Sequence, residues 1–371
     1  MNGSEAVSEA VRDRVLEAAR TLLYVPNLPA RRLSSGRTNA IAFVAAELNS
    51  MYAARVVNGF VAAADGVGYR GMLFNTQRDA ERRDLSIVAS LVHGREVDGL
   101  ILFRSRADAP ELEEAARRVP IVLIDPHRCE PETVPHVVVD NAGGTRLAVE
   151  HLIGLGHRRI GHLTYENGLS LWMNHRIDAY RATLREYGLP DDDSLLMVAP
   201  SRDTCGEGAV ALMARPNPPT AIFAVSDWSG ASAVNALERA GLRVPDHVSV
   251  VSFDDGPLAE HSRPSITSVH QPMAQLAHTA IAQLIEMVNG RTPVLRSVLP
   301  TRLVVRESSG PPRDAAGHVA DATLVAAAPP VTASPDAMSL NPLSRNATSR
   351  DATQPEAIPA GVGPTSRTAS A

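Results

Sequence analysis

Between Ala40 and about Val305, short apolar runs alternate with longer stretches of helical periodicity, and that alternation leaves few folds open. The runs cover 41–46, 71–74, 99–103, 121–124, 160–163, 221–225 and 248–253, and the spacing predicts helices between them over 53–66, 143–153, 176–187, 230–240 and 273–288. A run that is apolar throughout is buried on both faces, which is the signature of a parallel strand covered by crossover helices. The fold class is therefore α/β with parallel sheets. In such sheets ligands collect at the carboxyl ends of the strands. The residues there are polar: Glu47 to Ser50, Asn75, Asp125, Ser226-Asp227 and Asp254-Asp255.

The two ends of the chain read differently. After about Gly310, Ala, Pro, Ser and Thr dominate and no Phe, Trp or Tyr occurs, so residues 310–371 are expected to form a disordered tail. At the other end, Ser8 can cap a helix running to about Leu23, with Val11, Val15, Ala19 and Leu22 on one face. A second, short helix over 28–35 can follow, with Asn27 as N-cap and Pro29 in the first turn, where its missing N–H costs nothing. The chain has 371 residues, more than a single core usually organises. Every apolar run is broken by Arg, Asp, Glu or Gly well short of the ~20 residues that span a membrane, so no membrane partner is expected. Met1 to Glu5 carries no export signal, which makes the cytoplasm the expected location. The two cysteines, Cys129 and Cys205, lie far apart without a CxxC, so neither a disulfide framework nor a zinc cluster is expected.

Several short stretches, taken in order, resemble the lactose-repressor (LacI) family of transcription regulators. They are Val7-Ser-Glu-Ala-Val-Arg-Asp-Arg-Val15, Tyr24-Val-Pro-Asn27, Ala30-Arg-Arg-Leu33, Ser35-Gly-Arg-Thr38, Val97-Asp-Gly-Leu-Ile101, Asp140-Asn141, Gly154-Leu-Gly-His-Arg-Arg-Ile160, Pro219-Thr-Ala-Ile-Phe223, Gly241-Leu-Arg-Val-Pro245 and Val248-Ser-Val-Val-Ser-Phe-Asp-Asp255. Each is weak alone; together they run from Ser8 to about Ser309. The resemblance implies a two-lobed periplasmic-binding-protein-like (type I) core of parallel sheets, preceded by a partial helix-turn-helix head and a hinge helix. In residues, it implies a head over 1–26, a hinge over 27–38, and a core over 39–309. Lobe 1 would take about 39–138 plus 270–292, and lobe 2 about 140–266 plus 294–309. The sequence departs from the family at Met1-Asn2-Gly3, which fall where the recognition helix should end. The expectation is a start codon placed some 20 to 25 residues late. The alternative is a headless sugar sensor that binds no operator.

From Arg20 to Thr38 there are four arginines (Arg20, Arg31, Arg32, Arg37) and no acid, although the whole chain carries a net charge of −5. Such a local excess suits phosphate contacts. The resemblance implies that Leu33 wedges between base steps of operator DNA, with Ala30 and Asn27 in the same hinge and Tyr24 at its junction with the head. Pro29 departs from the usual residue there. It further implies a homodimer that grips or releases DNA, most simply as a repressor of a carbohydrate-use operon, when an effector closes the core.

For the effector, the resemblance implies Arg176 as a guanidinium fork, Asp254 as a hydroxyl acceptor, and Asp125, Ser226, Ser170 and Tyr52 as further pocket positions. Asp203 aligns loosely with a lobe 2 loop position. Two carboxylates and one arginine facing a cleft fit a neutral polyol. Trp172 and Trp228, at loop ends after strands, offer faces for a sugar ring. No cofactor is expected. His157, His162 and His175 are spaced 5 and 13 residues apart without a fixing Cys or acid, which argues against a metal site. Asp254 and Asp255 are adjacent on a strand end and point to opposite sides, so they do not flank one bond as an acid pair would. A binding protein rather than an enzyme is expected.

Overall fold

The structure, a computed structural model, describes residues 8–22, 37–45, 48–76, 83–166 and 170–312. The hinge positions Tyr24, Asn27, Ala30, Arg31, Arg32 and Leu33 and the tail from 313 onward lie outside them. Near the N-terminus, α1 (Glu9–Thr21) forms as the apolar spacing predicts.

The core consists of two six-stranded sheets. The first contains β1 (Ala40–Ala45), β2 (Arg70–Asn75), β3 (Gly99–Phe103), β4 (Ile121–Ile124), β5 (His136–Val139) and β11 (Arg296–Leu299), in the order β11-β5-β4-β3-β1-β2. Every pairing in it is parallel. Its helices are α2 (Met51–Gly66), α3 (Arg83–His93), α4 (Ala109–Ala116) and α10 (Met273–Val288). The second contains β6 (Ile160–Tyr165), β7 (Leu196–Ala199), β8 (Ala221–Ala224), β9 (Ser249–Asp254), β10 (Thr267–His270) and β12 (Arg302–Val304), in the order β12-β10-β9-β8-β6-β7. Its helices are α5 (Asn141–Gly154), α6 (Leu171–Glu186), α7 (Cys205–Met213), α8 (Asp227–Arg239) and α9 (Pro257–His261).

Strands β1, β3 and β4 are buried at every position, which is why they read as unbroken apolar runs. The edge strand β2 is half exposed and carries Arg70 and Asn75 at its ends. In lobe 1, α2 starts at the N-cap Ser50, whose hydroxyl accepts the Ala53 N–H. It packs against α10 so closely that a Cβ on Gly59 would stand 2.9 Å from the Ala274 Cα. Only glycine allows that approach.

Some expected boundaries need correction. Residues 294–299 do not belong to lobe 2, because β11 pairs in parallel with β5 in the first sheet, and the chain crosses back only before β12. The second sheet is parallel as expected except at its edge, where β12 runs antiparallel to β10, since a chain crossing over without a helix enters it from the opposite end. The helices expected over 176–187 and 230–240 begin earlier, at Leu171 and Asp227. Trp172 and Trp228 therefore sit in first helical turns rather than in loops.

Candidate functional site

A cavity of about 380 Å³ opens between the carboxyl ends of the two sheets. Lobe 1 contributes Tyr52 and Arg55 from α2 and Arg104 from the end of β3; lobe 2 contributes Trp172 and Arg176 from α6, Arg202, Ser226 and Trp228, and Asp254 from the end of β9. Several strand-end residues have left-handed backbones, with φ of 52° at Arg104, 45° at Asp125, 124° at Asp254 and 54° at Asp255. Non-glycine residues adopt such angles at a cost, and they cluster where a turn must aim a side chain.

Trp172 organises the inner end. Its ring is 5% exposed, and the guanidinium carbons of Arg104 and Arg176 each lie 4.9 Å from its centroid. Arg104 also covers the Tyr52 ring at 4.7 Å, and Arg176 covers Phe253 at 3.5 Å. Each desolvated contact of this kind contributes about 0.5 to 2 kcal/mol. Arg176 is oriented by neutral acceptors: its Nε donates to Asn141 Oδ1 at 2.9 Å and its Nη1 to the Val225 carbonyl at 2.5 Å. Burial lowers its pKa to about 10, which leaves it charged at neutral pH.

The acids divide by role. Asp254 accepts a hydrogen bond from Gln271 Nε2 at 2.6 Å and faces the cavity. Asp255 turns away to His270 Nδ1 at 2.8 Å and to Arg306 Nη2 at 2.5 Å. The two side chains point apart, but Asp255 lies past the end of β9 and both backbones have positive φ, so the turn rather than strand alternation separates them. Asp227 accepts from Ser252 Oγ, Ser268 Oγ and the Gly256 N–H, each at 2.6 Å, and so holds the loop after β9. Burial, then the charge of Asp254, pushes its pKa up; burial likewise raises Asp254, against the pull of Arg176.

Of the expected pocket residues, Arg176, Asp254, Trp172, Ser226, Tyr52 and Trp228 line the cavity. The Ser226 hydroxyl also caps α8 by accepting the Ser229 N–H, and Trp228 is 44% exposed beneath Arg202 at 4.6 Å. Asp125, Ser170 and Asp203 are not brought to the wall. Asp125 is buried beneath Tyr52, whose hydroxyl donates to its Oδ2, and burial raises its pKa. Ser170 is fully buried at the start of α6, whereas the Asp203 side chain is 77% exposed beside Arg202 at 3.9 Å. Arg37, expected on DNA, donates to Asn289 Oδ1 at 3.1 Å past the end of α10.

Arg55, Arg104 and Arg202 were not anticipated. Arg104 follows an apolar strand, as the other candidates do, and that position was the available signal. Arg55 and Arg202 reach the wall through helix geometry. The cavity thus has four arginines on its wall where the sequence had suggested one.

A cavity of this kind between two lobes defines a type I binding-protein core. Residues 149–309 match the periplasmic binding protein-like domain model. Over 320 residues the chain is 35% identical to the HTH-type transcriptional regulator CelR of Thermobifida fusca, covering 83% of this chain and 92% of that protein. It is also similar to the solved structure of a CelR–cellobiose complex, with a TM-score of 0.66 and 32% identity, covering 83% and 93% of the two chains. The lac repressor dimer bound to operator and an anti-inducer has the same fold, with a TM-score of 0.72 at 24% identity over 83% and 93%. The chain belongs to the LacI family of transcriptional regulators. It is a ligand-responsive, DNA-binding regulator of transcription. No helix among the described residues is long and apolar enough to cross a membrane.

Proposed function

We propose that the cavity binds a saccharide effector and that its closure alters the grip of a homodimer on the operator of a carbohydrate-use operon, in the cytoplasm. The observation that supports this is the Trp172 ring, flanked by two guanidiniums, with Asp254 on the same wall. The guanidiniums and the carboxylate serve a sugar's hydroxyls as donors and acceptor, and the partly exposed Trp228 on the same wall gives an apolar surface for its C–H face. Arg176, Asp254, Trp172, Tyr52, Ser226 and Trp228 are the proposed effector contacts, with Asp125 orienting Tyr52. The CelR structure holds cellobiose, which makes a disaccharide the first candidate.

The lobes already touch: Arg55 Nη1 donates to the Asp255 carbonyl at 3.0 Å, and the Leu171 N–H to the His127 carbonyl at 2.9 Å. Contacts of this kind favour one lobe arrangement, and a ligand that strengthens them shifts the population. Tyr24, Asn27, Ala30, Arg31, Arg32 and Leu33 are the proposed DNA-contacting residues, within a head over 1–26 and a hinge over 27–38. The proposed activity is binding without catalysis, because Asp254 and Asp255 are committed to opposite sides of the strand end.

Calorimetric titration of the chain with cellobiose and related mono- and disaccharides tests the reading. Saturable binding that is lost in Arg176→Ala is expected, and failure of every saccharide to bind refutes it. DNA affinity that falls steeply with salt and changes when the sugar is added tests the regulatory half.

A further inference from the structure

The charges on the cavity wall are unevenly matched. At the inner end, Arg104 and Arg176 share the Trp172 ring, and the carboxylates of Asp125 and Asp254 lie within electrostatic reach of both. Two cations facing two acids form a balanced set suited to uncharged hydroxyls. The remaining guanidiniums, Arg55 on lobe 1 and Arg202 on lobe 2, lack that balance. Arg55 donates to a backbone carbonyl, a neutral acceptor. Arg202 lies flat over Trp228, and its ion pair with Asp203 spans 3.9 Å to a side chain that is 77% exposed. An exposed pair of that length is worth little.

Asp227, the other acid on the wall, is paired with neither: its three hydrogen bonds come from Ser252 of β9, Ser268 of β10 and the Gly256 N–H. Among the described residues Arg55 has no carboxylate partner and Arg202 has only that long, exposed pair, so these two guanidiniums on facing lobes add positive potential to a semi-enclosed cavity. An anion between them gives each guanidinium a charged acceptor.

We infer that the effector is an acidic saccharide, whose carboxylate or phosphate is held between Arg55 and Arg202 while its sugar ring fills the cavity beside Trp172. This rests on the saccharide reading of the same cavity and adds the charge that the ligand must carry. It also makes the effector a tie between the lobes, since one anion would bind a residue from each.

The test is calorimetric titration of the full chain with cellobiose, with its aldonic acid cellobionate and with glucose 6-phosphate, repeated for Arg202→Gln and Arg55→Gln after thermal melts show both variants folded. One acidic probe is expected to bind about ten-fold or more tightly than cellobiose, and which one does so tells carboxylate from phosphate. That advantage should shrink with added salt and fall to about two-fold or less in Arg202→Gln. Cellobiose binding as tightly as both acids overturns the acidic assignment and leaves the saccharide reading intact. An acidic preference unchanged in both arginine variants overturns the assignment to Arg55 and Arg202. Failure of both acids to bind overturns the acidic assignment, and the saccharide reading falls with it only when the whole mono- and disaccharide series fails as well.

Discussion

Arg104 and Trp172 meet across the boundary between the lobes, the guanidinium carbon 4.9 Å from the centroid of the indole ring. Arg104 follows β3 in lobe 1, whereas Trp172 sits in the first turn of α6 in lobe 2, so opening the cleft must break the contact. Trp172→Ala is expected to weaken saccharide binding about ten-fold or more, at about 1.4 kcal/mol per ten-fold. Trp172→Phe, which keeps an aromatic face, should cost less. The chain has two tryptophans, so Trp228→Phe leaves Trp172 as sole reporter. Its emission should change saturably on titration with sugar, and a flat signal would count against a ligand on that ring.

The Tyr52–Asp125 hydrogen bond sets a second expectation. The Tyr52 hydroxyl donates to Asp125 Oδ2, and Oδ1 has no hydrogen-bond partner among the described residues. Tyr52→Phe removes the hydroxyl that donates to this buried carboxyl and is expected to cost about 1 to 3 kcal/mol of unfolding free energy. Because the residues act as a pair, Tyr52→Phe combined with Asp125→Ala should cost less than the sum of the single changes. Urea denaturation of the four proteins measures the coupling, and strict additivity would show that the contact carries no energy.

His162 predicts a pH dependence. Its ring stacks between Tyr180 and Phe223 at centroid distances of 5.1 and 5.0 Å, with Nδ1 2.9 Å from the Phe223 carbonyl and no partner for Nε2 among the described residues. Burial lowers its pKa from 6.5 to about 4. The unfolded chain takes up a proton below about 6.5 while the folded chain refuses it until about 4, so the contribution is complete above that window and lost as pH falls through it. At about 1.4 kcal/mol per pH unit the loss amounts to about 3 kcal/mol. Unfolding free energies of the wild type and His162→Phe between pH 7 and 4 should show the shallower dependence in the variant. Parallel curves would exclude His162 as the cause.

Gly59 and Gly66 lie on the same helix and should respond oppositely to alanine. At Gly59 the added methyl meets Ala274 Cα at 2.9 Å and the Ala274 carbonyl oxygen at 3.0 Å, backbone atoms that cannot turn aside. At Gly66 nothing lies within 4 Å. Gly59→Ala is expected to destabilise lobe 1 by about 1 to 3 kcal/mol, whereas Gly66→Ala should be neutral or stabilising by up to about 1 kcal/mol. Thermal unfolding of both variants reads the contrast. Equal effects would mean that α2 and α10 can separate without cost.

Much of the core was legible in the linear chain because its rules are local. Buried central strands such as β3 and β4 must be apolar at every position, so their bounds coincide with the apolar runs. A short strand with mixed exposure such as β11, with only Val298 and Leu299 apolar, carries too few apolar residues to stand out. The assignment of β11 to lobe 1 depends on which strand it pairs with, a choice made between residues about 160 positions apart that no local pattern records.

By itself, the sequence determined the strand and helix alternation and the polar strand ends that mark the site, and through its resemblance to the LacI family it pointed to Arg176, Asp254 and Tyr52, which line one cavity with Trp172. Backbone periodicity and strand polarity are properties of neighbouring residues, and so survive in one dimension. Only the tertiary structure decided that Asp125 supports Tyr52 from beneath, and that Asp227 holds a loop. It also brought Arg55, Arg104 and Arg202 together on one wall. Those outcomes depend on burial and on electrostatic fields across two lobes, where residues distant in sequence set one another's environment.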